Sequence, residues 1–154
     1  MAEFLAGEKL RASDLDPLEE TEARYETDGT VAVDNFNLTN IAFATSIYTT
    51  ALVTPDLDHK LFTLNRSGLW VFTAGFDFPA ATPSGAGNYL LRLVNSAKTI
   101  TYDDDLQPVD ERRMRLGTEY RLTSGTVVVI DANAQTSEAS VNVTGFLTLR
   151  WVKY

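Results

Sequence analysis

Between Gly68 and Pro79 the chain reads Gly-Leu-Trp-Val-Phe-Thr-Ala-Gly-Phe-Asp-Phe-Pro, and from Trp70 to Phe78 every second residue is Trp, Phe or Ala. Successive side chains on a strand point to opposite faces, so Trp70, Phe72, Ala74, Phe76 and Phe78 share one face. A 3.6-residue helical period would scatter the same residues around a cylinder. Each aromatic buried on that face contributes about 1.5–3 kcal/mol before the cost of ordering it. This strand is therefore a structural centre. Trp70, Phe72, Phe76 and Phe78 are assigned to the core, together with Phe146 in the closing strand.

Around that strand the text stays strand-like from Thr30 onward. Candidate strands lie near Thr30–Val33, Ile41–Val53, Lys60–Leu64, Leu69–Phe78, Asn88–Val94, Thr99–Tyr102, Arg115–Leu122, Thr126–Ile130 and Val141–Val152. Turn chemistry separates them, at Asp28-Gly29, Thr54-Pro55-Asp56, Ser67-Gly68, Gln107-Pro108 and Ser124-Gly125. Short strands with regular turns and no long helical pattern predict an all-β, antiparallel jelly-roll sandwich. Tyr89–Val94 and Val127–Ile130 are apolar on both faces, whereas one face of an antiparallel sheet ordinarily meets water. A second apolar face predicts contact with another subunit.

Charge divides the chain. The whole carries −8, and Met1 to Thr30 holds nine acids against Lys9, Arg11 and Arg24, so −6 sits there and −2 in everything after it. An acidic chain does not coat nucleic acid or anionic lipid by charge. The shift near Gly29 divides residues 1–29, read as an N-terminal arm, from a β-domain over residues 30–154. Apolar residues in the arm are scattered; Phe4, Leu5, Leu10 and Leu15 are its candidate attachment contacts. Ser13 or Asp14 caps a short helix running towards Glu22, with Pro17 as a first-turn residue. The arm is too poor in apolar surface to fold as a domain by itself. No run approaches a membrane span, and the N-terminus lacks the basic-then-apolar order of a signal peptide.

Chemistry-bearing patterns are sparse. Cys is absent, which excludes a disulfide framework and thiolate catalysis. His59, the only histidine, sits between Asp58 and Lys60 in a polar turn with no partner motif for catalysis. No phosphate-binding loop, nucleophile elbow or zinc-protease signature occurs. Asp103, Asp104 and Asp105 are weak candidates for hard-cation ligands, but they lack the ligand spacing and Gly of a calcium loop. Asp110-Glu111-Arg112-Arg113-Met114-Arg115 reads as acids paired with arginines, and Ala80–Gly87 as an exposed connection. No catalytic residue, metal site or cofactor is assigned.

Four segments together resemble a known family: Ser67-Gly68-Leu69-Trp70-Val71-Phe72-Thr73-Ala74, Leu91-Arg92-Leu93-Val94-Asn95-Ser96, Leu122-Thr123-Ser124-Gly125-Thr126-Val127 and Val143-Thr144-Gly145-Phe146-Leu147. Over Val33 to Tyr154 they look like the complement globular-head and tumour-necrosis-factor jelly rolls. Trp70 stands where that family usually has Tyr, and no collagen-like Gly-X-Y stretch precedes the domain. The resemblance implies a homotrimer. The opening Phe4-Leu5-Ala6-Gly7-Glu8-Lys9-Leu10-Arg11-Ala12-Ser13-Asp14-Leu15-Asp16 resembles leaders of small virion proteins of tailed bacteriophages. Together the two resemblances imply a non-enzymatic virion component, made in the host cytoplasm. Its expected partners are itself, other virion proteins (tail or major capsid protein) and the host cell surface. A minor tail protein is the first expectation and a capsid decoration or head-spike protein the second. A soluble lectin-like module is the more distant alternative.

Overall fold

The computed structural model describes residues 21–79 and 87–152. The strands are β1 (Glu22–Glu26), β2 (Val31–Asp34), β3 (Thr39–Asn40), β4 (Thr45–Tyr48), β5 (Val53–Pro55) and β6 (Phe62–Leu64). They continue with β7 (Gly68–Asp77), β8 (Asn88–Asn95), β9 (Thr101–Pro108), β10 (Arg113–Leu122), β11 (Val127–Ala134) and β12 (Ser140–Val152). One sheet has the order β10-β7-β12-β1-β4, with β2 also paired to β12; the other runs β5-β6-β11-β8-β9, with β3 paired to β11. Every pairing between these strands is antiparallel. The result is the all-β jelly-roll sandwich that the alternation predicts.

The first sheet centres on β7. It pairs over its whole length with β10 on one side and over most of it with β12 on the other. Its inward residues Trp70, Phe72, Ala74 and Phe76 are at most 1% exposed. Phe43 lies between the sheets, with ring centroids 5.8 Å from Phe62 and 5.9 Å from Phe76, and Tyr25 meets Phe62 at 4.7 Å. These edge and tilted contacts add to the area buried. Both indoles find acceptors, as buried indole N–H groups require: Trp70 Nε1 donates to the Arg66 carbonyl at 3.0 Å and Trp151 Nε1 to that of Ser67 at 3.2 Å. Gly68 admits this arrangement. Its φ is 146°, and a Cβ there would collide with the Trp151 ring.

Two features depart from the sequence expectation. The segment expected as an arm contributes Glu22–Glu26 to the first sheet, with Ala23 and Tyr25 completely buried. Charged residues hide this strand in the sequence, because its outward positions are Glu22, Arg24 and Glu26. The sandwich thus takes in residues that the composition shift assigns to the leader. Phe4, Leu5, Leu10, Leu15 and the expected helix lie outside the described residues, as does most of the loop at Ala80–Gly87. The second departure is Phe146. It sits opposite Gly75 and is absent from the core cluster; it occupies the outer face of the sheet, half-buried, while its neighbours Leu147 and Leu149 point inward.

Candidate interaction surface

The outer face of the first sheet brings together the alternate residues of four strands. Row by row, Arg115 of β10, Gly75 of β7, Phe146 of β12 and Glu26 of β1 stand side by side. The next row on this face is Thr73 and Thr148, and beyond it Val71 stands beside Arg150 and Leu69 beside Val152. The Phe146 ring lies under the Arg24 guanidinium, 4.2 Å from centroid to Cζ, with Arg115 at 5.8 Å. Arg24 is held in place by Glu26, to which its Nε and Nη2 donate at 3.0 and 2.8 Å. Cation–π contacts of this kind contribute about 0.5–1 kcal/mol at exposed sites. Gly75 makes room for them: a Cβ there would run into the Arg115 guanidinium and stand 2.7 Å from the Phe146 ring. The face therefore carries a preformed aromatic–arginine cluster, and further along the sheet, past the Thr73–Thr148 row, the half-buried Val71, Leu69 and Val152.

Along the β10 edge the acidic run Asp103–Asp105 lies within β9. Asp103 and Asp105 are two apart and so share a side of the strand. Asp103 accepts from the Gly117 amide at 2.9 Å and Asp105 from the Arg115 amide at 3.0 Å. Those amides belong to β10, the last strand of the other sheet. The two carboxylates thus stand in for a missing partner strand and join the sheets along a seam, where Tyr102 and Tyr120 also meet edge-on at 5.0 Å. Among the described residues, no group of three or more His, Asp or Glu is placed to hold a metal ion.

A charge cluster that the sequence reading missed lies on the outer face of the second sheet. Arg92 of β8 stands opposite Asp131 of β11 and donates through Nε at 2.9 Å and Nη2 at 2.8 Å. Lys98 Nζ is 3.4 Å from the same carboxylate. The Asp131 side chain is completely buried, while that of Arg92 keeps 20% exposure. Hydrogen bonding to Asp131 raises the Arg92 pKa above its already high ordinary value, against the desolvation that lowers it. The available signal was the lone charge in each of two otherwise apolar strands.

His59 has a structural role. Its Nδ1 lies 2.8 Å from the Phe43 carbonyl, its ring meets Tyr25 edge-on, and its backbone φ is 52°. In the mixed cluster at 110–115, Arg113 pairs with Asp77 at 3.4 Å, and Arg115 turns to Phe146. No helix among the described residues is long and apolar enough to cross a membrane.

No protein-family model and no curated protein matches the sequence. Solved structures do match. The globular domain of zebrafish complement 1qA protein aligns with a TM-score of 0.62 at 14% identity, covering 87% of this chain and 98% of that one. PRD1 vertex protein P5 aligns with a TM-score of 0.60 at 15% identity, over 86% of this chain and 95% of its own. Eiger, a tumour necrosis factor from S. frugiperda, aligns at 0.56 and 10% identity, over 86% and 92%. Nothing in these likenesses points to catalysis. At such identities they establish architecture: the chain has the jelly-roll fold of complement globular heads and tumour-necrosis-factor ligands.

Proposed function

We propose that this protein is a non-enzymatic structural component of a bacteriophage virion. In this reading it forms a homotrimer through the outer face of the β10-β7-β12-β1-β4 sheet. Residues 1–20 act as an attachment arm, with Phe4, Leu5, Leu10 and Leu15 as its contacts. The observation that carries the reading is the Arg24–Phe146–Arg115 cluster, on the same sheet face as the half-buried Val71, Leu69 and Val152. An aromatic anchor with arginines, set on a rigid sheet, is the composition that protein interfaces favour. The likeness to a phage vertex protein supports the virion setting, and the phage-like leader agrees with it. Fold does not fix function, and the assignment stands on this surface.

Docking on the tail or tail tip is the preferred location. Decoration of the head, or a head spike, uses the same arm-and-trimer design and is the second reading, supported by the vertex location that the PRD1 protein's name records. Electron microscopy of purified particles with antibodies raised against the β-domain tests both readings. Label at the tail supports the first and label on the head the second. Unlabelled particles that also lack the protein by mass spectrometry refute both. Particles assembled with a variant lacking residues 1–20 are expected to lose the label while the β-domain still folds. A lectin-like module that works free in solution would never co-purify with particles.

A further inference from the structure

The β5–β6 hairpin ends in a tip that holds an apolar residue away from the protein. Leu57 is 100% exposed, with Asp56 and Asp58 on either side of it. The tip is nevertheless braced. Asp56 donates its amide to the Leu61 carbonyl at 2.8 Å, and its Oδ1 accepts from the Lys60 and Leu61 amides at 2.7 and 3.0 Å. His59 takes a left-handed φ of 52° and is tied twice to the buried Phe43. Its carbonyl accepts from the Phe43 amide at 3.1 Å, and its Nδ1 lies 2.8 Å from the Phe43 carbonyl. A leucine on a loose tip loses freedom when it docks, whereas one on a braced tip is already in place. The Asp58 side chain is 70% exposed, with Lys60 at 3.8 Å.

We propose that this tip is the other half of the subunit contact: Leu57 packs on the Phe146 ring of a neighbouring copy, and Asp58 pairs with that copy's Arg115. The inference rests on the trimer proposed above and names what the outer sheet face receives. A three-fold assembly joins two different patches, so the Arg24–Phe146–Arg115 cluster needs its counterpart elsewhere on the chain. Charge selects it. Arg24 is held by Glu26, whereas Arg115 has no ion-pair partner among the described residues, so the cluster suits an apolar group that brings a carboxylate. The tip offers both. Position agrees with charge. Rotation about a three-fold axis running along the strands leaves each residue at its own height, so the two patches must stand level. The His59 ring meets Tyr25, with centroids 6.0 Å apart, and the next residue on β1, Glu26, stands in the same row as Phe146. The hairpin also belongs to the β5 end of its sheet, the end away from the β9–β10 seam, so the tip projects from one edge of the sandwich towards a neighbour's broad face.

The test is light scattering on the full chain, at a concentration where the unmodified protein is a trimer. Asp58→Arg and Arg115→Glu should each give single chains, and the two together should restore the trimer, because the charges are then exchanged. Leu57→Ser should raise the concentration at which the trimer comes apart by about tenfold or more. Leu57, Asp58 and Arg115 are all exposed, and melting curves matching the parent show that each variant folds. A trimer that Asp58→Arg or Leu57→Ser leaves intact, while Phe146→Glu dissociates it, overturns the inference and leaves the trimer standing. A folded double variant that stays a single chain also overturns it. A single-chain mass for the unmodified protein overturns the trimer and the inference together.

Discussion

Arg92 and Asp131 form a pair whose two halves are unequal, and the inequality can be measured. Arg92→Met leaves the Asp131 carboxylate completely buried, with Lys98 at 3.4 Å as its remaining cation. It removes two charge-assisted hydrogen bonds, at 2.9 and 2.8 Å. Stranding a buried charge in this way costs about 3–5 kcal/mol. Asp131→Leu leaves two cations instead. Arg92 keeps 20% exposure and Lys98 32%, so both can turn towards water and the loss is smaller, about 1–2 kcal/mol. Replacing both together restores a packed apolar pair and returns stability to within about 1 kcal/mol of the parent. Urea unfolding, followed by the fluorescence of the buried Trp70, gives each value. For a chain of this size the larger loss lowers Tm by about 6–20 °C. Equal losses for the two single variants, or an Arg92→Met loss under about 1 kcal/mol, would refute the reasoning.

Other perturbations address the remaining parts of the molecule. Gly75→Ala drives a Cβ into Arg115 and Phe146 and should cost about 1–3 kcal/mol in thermal melts, with the Arg115 guanidinium displaced from the ring. Asp103→Ala and Asp105→Ala each remove one bond of the seam. The loss should be about 0.5–1.5 kcal/mol each, and hydrogen exchange at the Gly117 and Arg115 amides respectively should speed up. Burial raises the phenol pKa of Tyr25, Tyr89 and Tyr102 above the ordinary 10.0. The folded state then holds protons that the unfolded chain has released, so the contribution of these tyrosines to stability is flat below pH 10.0 and falls above it. Absorbance at the phenolate band and Tm, followed together through that range, should change in step.

The fold was legible because its strongest strand advertises itself. Nothing but a strand buries Trp70, Phe72, Phe76 and Phe78 on one face, and the Gly- and Pro-containing turns mark the neighbouring strands. β1 was hidden because its core contribution is Ala23 and Tyr25 alone, set among Glu22, Arg24 and Glu26; the tertiary context, not local pattern, makes it a strand. The candidate strand at Thr99–Tyr102 stops short of the aspartates at 103–105 because Asp disfavours strands. They are in a strand because β10 needs acceptors for its outer amides. Phe146 was counted with the core from its type, whereas its parity with Val152, not with Leu147, is what decides its face. Surface clusters such as Arg24–Phe146–Arg115 join residues from three separated strands. Only the register of those strands, which no single segment encodes, brings them together.

The central claim is that the outer sheet face holds subunits together, and solution mass at low concentration tests it most directly. Light scattering on the full chain, and on a version beginning at Thr21 so that β1 is kept, should give three times the 17.0 kDa chain mass in the first case and a trimer again in the second. Phe146→Glu should reduce both to single chains. A single-chain mass for the unmodified protein, or a trimer that Phe146→Glu leaves intact, would contradict the account.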